Sequence, residues 1–261
     1  AYFAGRIAGD QAEVVFPAPP DVDPAMWMPG PATVKDFQDA DLILLNGANY
    51  AKWISRVSLP QLRIVDTSRA FADLYLQVEQ SASHNHGPGG EHSHSGAAFT
   101  TWLDPGQALQ QAEAIASALA RKRPAAKQQF VTNLESLKSD LLALDERLAR
   151  ITAKAAGEPM LASHPVYHYL ARRYGLDLES LMWEPHEIPD EVQWAALAQL
   201  LKEHPAKRML WEAEPAPESV ERLRGLGVES IVFDPGGNRP ATGDFLTVME
   251  SNAANLEDVF Q

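Results

Sequence analysis

Short apolar runs alternate with stretches of helical periodicity along most of the chain. Asp41-Leu-Ile-Leu-Leu-Asn46, closed by Asn-Gly, has the continuous apolar character of a buried parallel strand. Arg63-Ile-Val-Asp66 predicts a second strand, and residues 32–40 and 48–57 predict helices. Residues 12–22, which begin Ala12-Glu-Val-Val-Phe16, predict a short strand ending in a proline-rich turn. The alternation resumes after Gly157. Pro159-Met-Leu-Ala-Ser163, Arg208-Met-Leu-Trp211 and Ser230-Ile-Val-Phe233 predict strands. Helices are predicted from about Pro165 to Tyr174, over 190–203 and 216–225, and from about Asp244 onward.

Between these two alternating halves lies a long helical stretch. Residues 106–122 form one amphipathic helix, and Pro124 suits the first turn of a second one running to about Lys154. Phe130, Leu134, Leu137, Leu141, Leu144, Leu148 and Ile151 recur at spacings of three, four and seven. Some 30 helical residues span ~45 Å at a rise of about 1.5 Å each, longer than one small lobe. The predicted fold is therefore α/β: two α/β lobes with mostly parallel sheets, joined by one long backbone helix. The expected division is an N-terminal lobe over 1–122, a linking helix over 123–155 and a C-terminal lobe over 156–261.

Residues 80–98 break the pattern. They hold no large apolar side chain, are rich in glycine and carry His84, His86, His92 and His94. Such a segment buries too little surface to offset its ordering entropy, so a mobile surface loop is expected.

The chain has 261 residues, with 35 acidic and 22 basic side chains and a formal charge of −13. So acidic a surface argues against nucleic acid, whose phosphates call for Lys and Arg. There is no cysteine, which excludes disulfides, thiolate metal sites and cysteine nucleophiles. No apolar run reaches the ~18–20 residues that span a bilayer. The opening residues lack a charged start and apolar stretch, and the expectation is a processed or trimmed chain.

Three features carry candidate chemistry. The loop histidines are suitable donors for zinc, copper or nickel; the plain alternative is a solvated linker. His164 stands at a predicted strand end, before Pro165, where open α/β sheets form ligand crevices. Taken alone, a histidine here is more often a helix cap or a core residue. His168, four residues on, would share a helical face with it. Asp234 ends another strand in Phe233-Asp-Pro-Gly-Gly-Asn238, where a carboxylate is either a hard metal ligand or part of an ordinary turn. Glu184 and Glu187 flank His186, but Pro185 and Pro189 favour an exposed loop. Phosphate-binding glycine loops, His-Glu-x-x-His helices and Gly-x-Ser-x-Gly elbows are absent from the sequence.

Taken in order, several segments resemble the zinc- and manganese-type (cluster A-I) solute-binding proteins of metal ABC transporters. Arg6-Ile-Ala-Gly-Asp10 is similar to the family's early helix end. Asp23-Pro-Ala-Met-Trp-Met-Pro29 resembles its Asp-Pro-His-x-Tyr-Glu-Pro segment. Ala40-Asp-Leu-Ile-Leu-Leu-Asn-Gly47, continuing to Trp53, is similar to its first strand and helix. A His-rich loop and Trp102-Leu-Asp-Pro105 follow, where the family has His-x-Trp-Leu-Asp-Pro. The run from His164 to Leu176 resembles the third ligand and its helix. Glu184-Pro185 matches a family Glu-Pro, and Asp234-Pro235, with Met249 and Asn252, resembles the last ligand and terminal helix.

The resemblance implies an extracytoplasmic, non-catalytic, monomeric protein that captures a divalent ion, zinc or alternatively manganese, and docks on an ABC permease. It also exposes two departures. Ala25 and Thr100 stand where the family has its first two ligand histidines, leaving His164 and Asp234 of four. Two ligands hold transition metals poorly. Either the loop histidines, which end a few residues before Thr100, supply donors; or the cleft, lined by Trp27, Trp102 and His168, takes a chelated metal or organic solute; or the replacements are engineered. A metallochaperone acting through its loop is the alternative function. A zinc hydrolase would need three ligands and a general base, a constellation the sequence lacks.

Overall fold

A computed structural model describes residues 1–20, 22–78, 84–85, 91–92 and 96–260. Two compact units divide the chain. Unit 1 comprises residues 1–102 and 106–138, and unit 2 comprises 103–105 and 139–261.

Unit 1 opens with α1 (Tyr2–Ala8), followed by α2 (Pro31–Asp39), β1 (Ile43–Leu45) and β2 (Ile64–Asp66). β1 and β2 pair in parallel, Ile43 opposite Ile64. Ile43, Trp53 and Leu59 form the core beneath them, with Phe37 and Trp27 packed against it. Gly47 follows β1 with φ +83°, and a Cβ there would lie 1.7 Å from Ser68 Oγ, so only glycine fits this approach. The expected strand within residues 12–22 is not formed: residues 12–16 take no strand pairing, and Val14 and Val15 are exposed. An apolar run without a ladder partner is not a strand. The expected helix at 48–57 is a short 3-10 turn over Lys52–Arg56, preceded by Ala48 and Asn49 at positive φ.

Across the His-rich segment the described residues are not purely irregular. β3 (Gln77–Val78) pairs antiparallel with β6 (Gly96–Ala97), and β4 (His84–Asn85) pairs antiparallel with β5 (Glu91–His92), His84 opposite His92. His86 and His94 lie outside the described residues.

α3 (Pro105–Lys122) and α4 (Lys127–Thr152) match the predicted helical stretch. The start of α4 belongs to unit 1, where Asn133 Nδ2 donates to the Ile7 carbonyl at 2.9 Å. Its later part belongs to unit 2, with Leu141, Leu144, Leu148 and Ile151 buried. Arg147 donates to Glu257 Oε2 at 2.7 Å and to Glu250, tying α4 to the terminal helix.

Unit 2 is a four-stranded, all-parallel sheet of β7 (Pro159–Ala162), β8 (Asp177–Ser180), β9 (Arg208–Trp211) and β10 (Glu229–Val232), in the order β10-β9-β7-β8. α5 (His168–Tyr174), α6 (Glu191–Glu203), α7 (Pro217–Gly225) and α8 (Phe245–Val259) provide the helical layers. Leu161, Trp183, Trp194, Leu197, Met209 and Trp211 form one buried cluster. Burial of these apolar side chains is the main stabilising term. α6 starts at a full capping box, in which Asp190 accepts from Gln193 N and Gln193 Oε1 accepts from Asp190 N. α8 is capped by Asp244. α5 begins at His168, later than predicted, so His164 precedes the helix and neither caps it nor shares its face with His168. Among the described residues no helix is long and apolar enough to cross a membrane.

Two substitutions test this packing. Leu144→Ala should cost about 2–5 kcal/mol through the cavity it leaves, and Asp190→Ala about 1 kcal/mol through the lost cap. Chemical denaturation of each variant measures both.

Candidate metal centre

In unit 2 the ladder continues past the strand ends. Ser163 N donates to Leu210 O, Trp183 N to Ser163 O and Phe233 N to Trp211 O, each at 2.8 Å. These bonds hold Ser163, Trp183, Trp211 and Phe233 in the sheet. The next residue after each is His164, Glu184, Glu212 and Asp234. All four strands of one parallel sheet thus deliver a potential metal donor at their carboxyl edge, the side on which such sheets bind ligands.

His164 is 7% exposed, and its Nδ1 lies 3.7 Å from Glu184 Oε1 and 3.8 Å from Glu212 Oε1. Tyr167 anchors the segment that follows. Its buried hydroxyl donates to Phe233 O at 2.7 Å, and its ring meets the Phe233 ring edge-on at 5.8 Å. Burial, and then the charges of Glu212 and Asp234, push the Tyr167 phenol well above its usual range. Burial also holds His168 below the usual histidine value, against a hydrogen bond to the Pro165 backbone.

Asp234 is clamped by α8. Asn252 Oδ1 accepts from Asp234 N at 2.9 Å, and Asn252 Nδ2 donates to Asp234 O at 2.7 Å. Asp234 Oδ1 accepts from Gly236 N at 2.7 Å. Burial raises the Asp234 carboxyl above the ordinary carboxylate value, with the Gly236 bond opposing it. A cation beside a half-buried carboxylate favours its charged form.

Unit 1 places the other positions of interest. Asp23 Oδ1 accepts from Ala25 N at 2.8 Å, fixing a turn that buries Ala25. Asn46 Nδ2 donates to Phe99 O at 3.0 Å, and Gln111 Nε2 donates to Asn46 O at 2.9 Å and to Thr67 Oγ1 at 3.1 Å. The Asn46 bond holds the peptide just before Thr100, and both Thr100 and Trp102 are buried. Tyr50 packs on Phe99 and Trp102 with ring centroids 5.3 and 5.4 Å away, and Trp27 meets Trp53 edge-on at 6.2 Å. A methyl group, a hydroxyl and aromatic faces occupy these positions.

No three His, Cys, Asp or Glu side chains among the described residues converge closely enough to hold an ion by themselves. Glu212 escaped the sequence reading, although it follows a predicted strand just as Asp234 does.

The model of the ZnuA family, described as "Zinc-uptake complex component A periplasmic", matches residues 1–259. The chain belongs to that family. Members of the ZnuA family are substrate-binding transport proteins rather than enzymes, and the family description places them in the periplasm. The chain is 27% identical over 238 residues to the high-affinity zinc uptake system protein ZnuA of Bacillus subtilis, covering 89% of this chain and 74% of the relative. It is 23% identical over 272 residues to the zinc-binding protein AdcA of Streptococcus pyogenes. That match takes in 97% of this chain, which spans about half (53%) of AdcA. Further relatives are named for iron and manganese. The crystal structure of the metal-dependent lipoprotein YcdH of Bacillus subtilis superposes with a TM-score of 0.81 at 22% identity, covering 98% of this chain and 94% of that one. This structural likeness establishes the fold, with its mostly parallel α/β layers.

The Asn252 clamp is open to direct test. Asn252→Ala leaves the Asp234 peptide groups without these partners and should cost about 1–3 kcal/mol. A thermal melt beside wild type measures it.

Proposed function

We propose that this chain captures a divalent transition-metal ion, zinc foremost, outside the cytoplasm and delivers it as a monomer to an ABC permease. His164 and Asp234 are the donors in this reading. The observation that carries it is their position: each directly follows the last ladder bond of its strand on the carboxyl edge of one parallel sheet. Family membership and the zinc-uptake names of relatives support the same ligand class. An imidazole with a carboxylate suits zinc, whereas manganese favours more oxygen donors.

Two donors are too few for a tight site, since zinc sites usually have at least three protein ligands. The His-rich segment supplies the remainder in this reading, from His84, His86, His92 and His94. The register of β4 against β5, His84 opposite His92, brings two histidine positions together. The protein then acts through both elements, the segment collecting ions and the sheet edge holding them.

One observation favours a second reading. Ala25 and Thr100 offer no strong donor, and Tyr50, Phe99 and Trp102 cluster next to Thr100. Aromatic faces of this kind suit a chelated metal or a small organic solute, with the loop serving a metallochaperone role.

Isothermal titration of metal-stripped protein with zinc separates the two. His164→Ala should weaken the tight site at least about tenfold, a loss of ~1.4 kcal/mol. Deletion of residues 84–94 should leave the melting temperature unchanged while weakening the same site. Weak, purely loop-dependent binding that ignores His164→Ala would overturn the leading reading and favour the second.

A further inference from the structure

β7 lies between β9 and β8, so the segment leaving β7 is flanked by the segments leaving its two neighbours. Glu212 directly follows β9, whereas His164 lies two residues past β7 and Glu184 four past β8, each just beyond a ladder bond that continues the sheet. The geometry is two-sided: Glu184 Oε1 at 3.7 Å and Glu212 Oε1 at 3.8 Å approach the same ring nitrogen, Nδ1. The imidazole is 9% exposed, against 37% and 25% for the two carboxylates, so the ring is the inner member of the cluster.

We propose that Glu184 and Glu212 are positioning residues for His164, jointly accepting the hydrogen of Nδ1 and thereby leaving Nε2 with its lone pair for a metal ion. The proposal rests on the reading of His164 as a metal donor. In a neutral imidazole one nitrogen carries the hydrogen and the other accepts or ligates. Two carboxylates beside Nδ1 favour the tautomer with hydrogen on that atom, because negative charge attracts the N–H dipole and repels a bare lone pair. Distances of 3.7 and 3.8 Å exceed a direct hydrogen bond. They are within reach of a bridging water or a small side-chain shift when the ring engages an ion. A carboxylate on the far nitrogen also raises the basicity of the ligating one and fixes the ring plane, and loss of such a partner commonly weakens metal binding ten- to a hundredfold. The arrangement accounts for two conspicuous carboxylates that do not converge with His164 into a three-ligand cage.

The test uses the whole chain with histidine labelled in nitrogen-15. Two-bond nitrogen–proton correlation spectra report each imidazole tautomer, and His164 is assigned as the signal missing from His164→Ala. In metal-free wild type, His164 should carry its hydrogen on Nδ1. The double variant Glu184→Gln/Glu212→Gln should show mixed tautomers and a zinc affinity reduced about ten- to a hundredfold. Each single variant should show part of that loss, which keeps the question answerable if the double variant folds poorly. Glu187→Gln/Glu214→Gln removes two exposed charges nearby and should change affinity less than about threefold. If zinc affinity falls in His164→Ala but tautomer and affinity are unaltered in the double variant, this inference alone is overturned. If His164→Ala binds zinc as tightly as wild type, the donor reading fails and the inference falls with it.

Discussion

The backbone ladder that runs on beyond the strands of unit 2 is the constraint on which the site depends. Three hydrogen bonds of 2.8 Å hold Ser163, Trp183, Trp211 and Phe233 in register. A parallel strand exposes whatever follows it at the same edge as its neighbours. The register therefore gathers four chain segments, separated by helices, into one row of His164, Glu184, Glu212 and Asp234. The supports are buried and apolar: Trp183 and Trp211 pack in the core, and Tyr167 bonds to the carbonyl just before Asp234. Stability and donor placement are thus one problem here, since loosening the core would also loosen the row.

Most elements were legible because their signals are local. β1, β7, β9 and β10 announce themselves as apolar runs, and Asp190 and Asp244 mark helix starts by capping. β8 was missed because Asp177-Leu-Glu-Ser180 is an edge strand with mostly exposed side chains, so its pairing leaves no apolar run to read. The reverse error occurred at Val14 and Val15, which are apolar but unpaired and exposed. Whether a run finds a ladder partner is a tertiary matter that its own composition does not contain. The α5 boundary failed for a related reason: Pro165 is compatible with a first turn, yet the backbone enters helix only at His168.

The candidate site was half legible. His164 and Asp234 stood out as chemically apt residues at strand ends. Glu184 was noticed beside His186, whereas the neighbour that matters in space is His164. Glu212 is spatially adjacent to His164 although 48 positions away in sequence, and only the order β10-β9-β7-β8 brings them together. Strand order is set by long-range pairing, so no local pattern could reveal which strand ends are neighbours. Unit 1 carries the opposite lesson. Asp23 fixes the Ala25 turn, and Asn46, itself held by Gln111, bonds to the carbonyl just before Thr100. The side chains so placed are a methyl group and a hydroxyl, neither of them a strong metal donor.

The proposed seat of the ion is the carboxyl edge of the unit 2 sheet. A crystal structure of the zinc-loaded protein, with anomalous difference maps recorded on either side of the zinc edge, addresses it most directly. One strong peak is expected ~2.0–2.2 Å from His164 Nε2 and from an Asp234 carboxylate oxygen. A zinc-loaded crystal whose anomalous density lies only on the His-rich segment, with none at His164 and Asp234, would contradict it.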